Sequence, residues 1–328
     1  MDTYEFEDAL TQSKVSCAYP GLETHIVGTT EFETQPTSVF FPGCSFINYA
    51  LPLVQSVYDL LREAGQVDGI SLLCCGKILI YEPDGEAVQA TFEEQLRQET
   101  VKRGITRYVV ACANCHAVMR RVFAEDPATA HVQVVVLPQV LADMGYRVDP
   151  ATAQQVFAQE WDEGVLGGYA AFAETPEGAP APQAVFSLKD TCPDKPFGVF
   201  AEGLRRLMPE DIVRQPKHHH EKSVCCGSLP RAAGKIEAAN KSARLNGEEA
   251  LEAGANALVT PCVSCCFQLT MAQASAPVYH YLELLYGWRI PWAYCEQYMK
   301  LRFLFDENLG VEESARSFMG LAGAEGAE

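Results

Sequence analysis

The sequence has few basic residues and no long apolar run. Its 328 residues include 25 Lys and Arg against 43 Asp and Glu, which gives a formal net charge of −18. A nucleic-acid-binding protein usually presents a basic face, so this composition argues against nucleic acid as a partner. No stretch reaches the roughly 18 consecutive apolar residues of a membrane-spanning helix, so we expect no transmembrane span.

The sequence also lacks the features of an export signal. Residues 1–8 are acidic, with no basic segment and no apolar core behind them. We therefore expect a cytoplasmic, reducing environment, in which disulfide frameworks are rare. Thirteen cysteines in such a chain indicate metal or redox chemistry, unless they are scattered buried residues. Their spacing decides between these two interpretations.

Ten of the 13 cysteines form two copies of one pattern. In each copy a single cysteine is followed by a Cys-Cys-Gly (CCG) step and then by a Cys-x-x-Cys (CxxC) step. The first gap is 29 residues in one copy and 32 in the other, and the second gap is 36 and 35 residues. We call these ten residues the motif cysteines: Cys44, Cys74, Cys75, Cys112 and Cys115 in the first copy, and Cys192, Cys225, Cys226, Cys262 and Cys265 in the second.

Three cysteines, Cys17, Cys266 and Cys295, lie outside the pattern and are interpreted as ordinary cysteines. Cys266 follows Cys265 directly, so it is also an alternative ligand. The regular spacing of the other ten indicates an internal duplication and two sites of the same kind.

Strands and helices are predicted to alternate in the same order in both copies. We expect an α/β fold of two pseudo-symmetric halves, each a small, mainly parallel sheet flanked by helices, with the motif cysteines at the strand C-terminal ends. Helix N-termini meet at that edge, and their partial positive charge suits thiolates. The predicted strands are 38–41, 70–73, 107–111, 132–136, 185–188, a strand ending near 224, and 257–260, and the predicted helices are 47–64, 87–103, one from 115, 197–207 and 236–253.

The same pattern predicts the domain organisation. Residues 1–37 are predicted to be an N-terminal extension and 38–150 the first half. An Ala-, Gly- and Pro-rich connector is predicted over 151–183, followed by the second half over 184–291 and a C-terminal helix and tail over 292–328.

Five sulfurs in each half suit an iron–sulfur cluster better than a lone zinc ion. Iron–sulfur clusters usually take four thiolates, and a structural zinc takes four ligands in a tetrahedron. The adjacent cysteines of a CCG step project in different directions, so they chelate a single ion poorly. The compact cysteine run of ferredoxins is absent, so ordinary ferredoxin clusters are not expected. A zinc-binding structural module remains an open alternative.

Other residues near the motifs are weaker candidates. Asp190 could orient the cysteine loop or carry protons, and the alternative is hydrogen bonding within the loop. His116 could tune or protonate a bound sulfur, and the alternative is an ordinary helix-surface position. Lys77 and Lys195 could offset cluster charge or meet an anionic substrate, and the alternative is that they are surface residues. The histidine run 218–220 could bind a metal or be a solvated loop. No P-loop and no GxGxxG motif follows a predicted strand, so no flavin or nucleotide site is predicted.

On these motifs the sequence resembles the cysteine-rich (CCG) domain family, which includes the cysteine-rich subunit of heterodisulfide reductase. The resemblance covers about residues 38–290 and is carried by the two patterns C-x29-CC-x36-C-x2-C and C-x32-CC-x35-C-x2-C. The segment Lys189-Asp190-Thr191-Cys192-Pro193 is similar to the family's His-Asp-Pro-Cys step, although the histidine and the proline position differ.

The resemblance implies an oxidoreductase subunit that is active only within a complex. It implies a noncubane [4Fe-4S] cluster on the five motif cysteines of each half, and reductive cleavage of a disulfide or a related thiol substrate. It also implies an iron–sulfur donor subunit and a flavin subunit that supplies it. The same domain occurs in glycolate and lactate oxidation complexes and in quinone-linked dehydrogenases, so an electron-relay subunit is the alternative.

Overall fold

The computed structural model describes residues 2–19, 24–81, 84–176, 178–290 and 292. These residues form two compact units, of which the first ends at Val135 and the second begins at Val136. The predicted C-terminal helix and tail lie outside the described residues, apart from Trp292, and so does Cys295. No helix in the described part of the chain is long and apolar enough to cross a membrane.

The predicted N-terminal extension contains a three-stranded antiparallel sheet. Its strands are β1 (Asp2–Glu7), β2 (Ser13–Tyr19) and β3 (Thr24–Thr29), and they are paired in that order. Val15 and Cys17 are buried at alternate positions of β2, as expected for a strand with one covered face. Cys17 is therefore a buried strand residue of the first unit.

The rest of the first unit is a four-stranded sheet with helices. The strand order is β5-β4-β6-β7, and the central strand β4 runs parallel to both β5 and β6. The elements are β4 (Ser38–Phe41), α1 (Cys44–Tyr49), α2 (Leu51–Glu63), β5 (Gly69–Ile70), α3 (Gly85–Arg103), β6 (Arg107–Val110), α4 (Ala113–Ala124) and β7 (Gln133–Val136).

The second unit repeats this arrangement. Its sheet has the order β9-β8-β10-β11, with all neighbours parallel. Its elements are α5 (Leu137–Asp143), α6 (Pro150–Asp162), β8 (Phe186–Leu188), α7 (Val199–Leu207), β9 (Val213–Arg214), α8 (Ser228–Ala232), α9 (Ile236–Glu252), β10 (Ala257–Thr260), α10 (Val263–Ala272), β11 (Val278–His280) and α11 (Tyr281–Tyr286). In both units the central strand leads to the single motif cysteine and its neighbour leads to the CxxC step. The predicted α/β class is confirmed, with the motif cysteines near the strand ends.

Several predicted elements have different limits in the structure. The single helix predicted over 47–64 is divided into α1 and α2 at Ala50. Pro52 in the first turn of α2 has no N–H to donate to the preceding turn, which ends one helix and begins another. The helix predicted from Cys115 begins at Ala113 with Cys112 as its N-cap. The segment predicted as a connector contains α6, and its boundaries and those of the two halves stay predictions.

The strands that precede the CCG steps are also shorter than predicted. In the first unit β5 ends at Ile70, because a buried carboxylate binds the next residues. Asp8 accepts hydrogen bonds from the N–H of Leu72 at 2.6 Å and from the hydroxyl of Ser71 at 3.1 Å. In the second unit the corresponding strand is β9, and Val224, predicted to end a strand, lies in irregular backbone. The second CCG step is therefore farther along the chain from its strand.

Asp8→Ala is expected to lower the free energy of unfolding by about 2–4 kcal/mol. The Asp8 carboxylate is fully buried and also accepts the N–H groups of Leu10 and Thr11, so its removal leaves buried donors without a partner. Denaturant titration of the purified chain measures the change. Asp68→Ala is the matched control, because exposed Asp68 accepts N–H groups that water can bind instead. Equal losses in the two variants would contradict this account.

Candidate metal centres

The single motif cysteine of the first unit lies against the CxxC step. Cys44 is the first residue of α1, and the preceding Gly43 has a φ of +82°. A Cβ atom on Gly43 would lie 2.9 Å from Sγ of Cys115 and 2.9 Å from Cβ of Cys112. The backbone before Cys44 therefore passes directly over the CxxC cysteines, and only glycine fits there.

The CxxC cysteines occupy the same helical positions in both units. Cys112 is the N-cap of α4 and Cys115 lies in its first turn, while Cys262 and Cys265 occupy these positions in α10. The N-terminus of a helix carries a partial positive charge and unpaired N–H groups. At Cys112 the hydrogen bond with the Cys115 side chain, together with the backbone N–H groups of Asn114 and Cys115, lowers the pKa and favours the thiolate form that binds metals.

The CCG steps form the same turn in both units. The N–H of Gly76 donates to Sγ of Cys74 at 3.3 Å, and the N–H of Gly227 donates to Sγ of Cys225, also at 3.3 Å. Both glycines have positive φ, +76° and +101°. Each turn therefore holds its first cysteine sulfur in place through the backbone.

Gly227→Ala is expected to destabilise the second unit strongly, by about 3 kcal/mol or more. A Cβ atom there would collide with the backbone carbonyl of Ala239 on α9. Gly254→Ala is the matched control: Gly254 follows α9 with a φ of +78°, but its Cβ would meet open space, so we expect about 1 kcal/mol. Denaturation midpoints compare the two. Similar shifts would show that backbone conformation alone, and not the close approach to α9, sets the cost.

Hydrogen-bonding contacts link all five sulfurs of the first unit. The order of the links is Cys44, Cys74, Cys75, Cys115 and Cys112. The hydrogen bond from Cys115, followed by that from Cys74, lowers the pKa of Cys75 to about 6. The contact with Cys112, followed by that with Cys75, raises the pKa of Cys115 well above its ordinary value. The five sulfurs therefore form one continuous group.

The sulfurs of the second unit are linked in the corresponding order. The Sγ atoms of Cys192 and Cys225 are 3.8 Å apart, and contacts continue through Cys226 and Cys265 to Cys262. The hydrogen bond from Cys192, followed by that from Cys226, lowers the pKa of Cys225 to about 2. Each motif cysteine thus has a counterpart at the same place in the other unit.

The donor chemistry of these groups fits an iron–sulfur cluster. The ten motif cysteines form no disulfide bonds, and in each unit the second cysteine of the CCG step and of the CxxC step is buried. The space beside Gly43 would be filled by a Cβ atom, which would lie 2.9 Å from Sγ of Cys115. Within the described residues, no group of three or more His, Cys, Asp or Glu side chains is arranged to hold a single metal ion. A bound cluster would be held by the five motif cysteines of its unit.

The structure places Asp190 in a salt bridge beside the second sulfur group. Its carboxylate accepts two hydrogen bonds from Arg205, at 2.7 and 2.9 Å, and one from the N–H of His220 at 2.6 Å. Burial raises the pKa of Asp190, but the hydrogen bonds from Arg205 more than offset this and leave the pKa below its ordinary value. Asp190 thereby joins the Cys192 loop to the histidine run.

The histidines differ from their predicted surroundings. His116 is buried, not on the helix surface, and burial lowers its pKa to about 4, so its imidazole is neutral at pH 7. In the histidine run, His218 is paired with Glu249, and Nδ1 of His219 lies 2.7 Å from Nδ1 of His220. His218 is therefore held against α9, the helix that contains Glu249.

Comparison with known proteins agrees with the motif. The family model "Cysteine-rich domain" (CCG) matches residues 38–120 and 200–270, which contain every motif cysteine except Cys192. This domain suggests an iron–sulfur or metal-binding redox role. No curated protein matches the sequence. A solved structure, an aspartate racemase homologue from Pyrococcus horikoshii OT3, is similar over 81% of this chain and 99% of that chain at 14% identity, but its TM-score of 0.30 is too low to support an argument.

Proposed function

Because two segments of the chain, 38–120 and 200–270, match the cysteine-rich (CCG) domain, we propose that it is an iron–sulfur oxidoreductase subunit that reduces a disulfide or a related thiol substrate. Each unit would hold one noncubane [4Fe-4S] cluster on its five motif cysteines. The observation that carries this proposal is the continuous group of five sulfurs, linked in the same order in both units.

The electron count of the reaction supports two clusters. Cleavage of a disulfide breaks one S–S bond and consumes two electrons and two protons, which yields two thiols. An iron–sulfur cluster, when bound, supplies one-electron redox chemistry at a potential set by hydrogen bonds, charge and solvent exposure. One cluster in each unit therefore lets the chain store both electrons before the substrate is cleaved.

The electrons would come from a partner. The chain has no ferredoxin-type cysteine run and no nucleotide-binding motif, so we propose an iron–sulfur donor subunit supplied by a flavin subunit. Cys44, Cys112, Cys192, Cys225 and Cys262 are partly exposed, so each sulfur group reaches the surface of its own unit.

A dye-coupled assay tests the proposed reaction. The chain is purified without oxygen, mixed with a reduced viologen dye, and offered a panel of small-molecule disulfides and their mixed forms. We expect dye oxidation that depends on the disulfide, with two dye molecules oxidised per disulfide cleaved. A loaded chain that exchanges electrons with the dye but cleaves no disulfide, with or without its donor subunit, would instead favour the electron-relay function.

A further inference from the structure

The position three residues before the single motif cysteine differs sharply between the units. In β4, Phe40 lies opposite Val109, and in β8, Leu188 lies opposite Val259, so Phe41 and Lys189 occupy corresponding positions. Phe41 is fully buried, with its ring centroid 6.1 Å from that of Tyr108. Lys189 is only 4% exposed. A buried cation therefore stands in the second unit where an aromatic ring stands in the first.

The Lys189 ammonium lies between the cysteine loops. Its Nζ donates to the carbonyl of Asp190 at 2.5 Å and to the carbonyl of Val224 at 2.7 Å, so it joins the Cys192 loop to the CCG step. Two of its three N–H groups thus have carbonyl partners. Hydrogen bonds to two carbonyl oxygens favour the charged form of this side chain.

The second unit also has three buried hydroxyl groups close to its motif cysteines in the chain. Thr191, Ser223 and Thr260 precede motif cysteines by one or two residues and are at most 1% exposed. Their hydroxyl oxygens have no hydrogen-bond partner among the described residues. A buried hydroxyl without a partner costs free energy unless a ligand accepts from it. The corresponding residues of the first unit have no hydroxyl: Gly43, Leu72 and Val110.

We infer that the two centres are built to differ, and that the cluster of the second unit is the one more easily reduced. The inference rests on the proposed function, because it concerns the clusters that the two units would hold. One electron from the donor adds one negative charge to a cluster. A buried ammonium and free hydroxyl donors stabilise that charge, whereas Phe41 and Val110 do not.

The first test removes the buried charge from the full chain. Wild type and Lys189→Met are titrated anaerobically against redox mediators, with the clusters followed by EPR. We expect two midpoint potentials in the wild type. In the variant we expect the higher midpoint potential to become more negative by at least about 59 mV, which for one electron is a tenfold change in the reduction equilibrium constant. The lower midpoint potential should not change. Lys195→Met removes the same charge from an exposed side chain three residues after Cys192, and solvent screening should leave both potentials unchanged.

A second pair of variants covers the case in which Lys189→Met fails to fold. Thr260→Val removes one buried hydroxyl with little change of shape, and Val110→Thr adds one at the corresponding position of the first unit. We expect the first to lower the higher potential and the second to raise the lower potential. Thr260→Val should not lower the thermal stability of the iron-free chain, because the hydroxyl has no partner there.

Iron content and EPR line shape, recorded for every sample, separate the possible failures. A wild-type chain without iron would defeat the proposed function and this inference with it. A chain with both clusters whose two potentials coincide, or whose potentials do not move in Lys189→Met and Thr260→Val, would defeat the inference alone.

Discussion

Replacing Cys75 by alanine is expected to halve the iron content of the anaerobically prepared chain, from about eight to about four irons. Cys75 lies in the middle of the sulfur group of the first unit, between Cys74 and Cys115. Its loss breaks that group into two parts and leaves the second unit intact. Iron and sulfide analysis of the purified variant measures the change.

Two other buried cysteines provide matched controls. Cys17 is buried in β2 of the first unit, and Cys266 is buried in α10 of the second, next to Cys265. Cys17→Ala and Cys266→Ala should both retain about eight irons. Iron loss in Cys266→Ala would identify Cys266 as a ligand. Full iron retention in Cys75→Ala would show that the first sulfur group is not the cluster site.

Disulfide turnover is expected to fall to the level of the protein-free control when either unit loses its cluster. We predict this for Cys75→Ala and for Cys226→Ala, which occupy corresponding positions in the two sulfur groups. Each variant keeps one cluster, which supplies one electron at a time, whereas the S–S bond needs two. The dye-coupled assay compares both variants with wild type.

Mixing the two variants tests whether both clusters must lie in one chain. An equimolar mixture contains both kinds of intact unit, but never in the same molecule, so we expect no recovery of turnover. Cys17→Ala should keep full turnover, which separates cluster loss from the mere loss of a buried thiol. Half the wild-type rate in either single variant would mean that one unit is sufficient for the reaction.

The strands that carry the motif were predictable from the sequence because their signal is local. The short apolar runs of β4, β6 and β10 each end just before a motif cysteine, and the duplication gave two independent instances of the same order. The parallel sheets followed from the alternation of these runs with helices. The spacing of ten cysteines likewise predicted two groups of five, although the links between sulfurs require the folded chain.

The remaining features depend on contacts that a local pattern does not contain. Asp8 ends β5 through hydrogen bonds to residues more than 60 positions away, so the length of that strand could not be predicted from its own residues. Lysine is usually a surface residue, and Lys189 is buried only because two loops fold over it.

The division between α1 and α2 is, by contrast, a local feature that could have been predicted, because Pro52 marks it in the sequence.

Metal and spectroscopic analysis of one anaerobically purified wild-type sample decides whether the two groups of sulfurs hold iron–sulfur clusters. Iron, sulfide and zinc are quantified, and EPR spectra are recorded on the same material. We expect about eight irons and eight sulfides per chain, with signals unlike those of ferredoxin clusters. One or two zinc ions with little iron, after anaerobic reconstitution, would contradict it and leave a zinc-binding structural module.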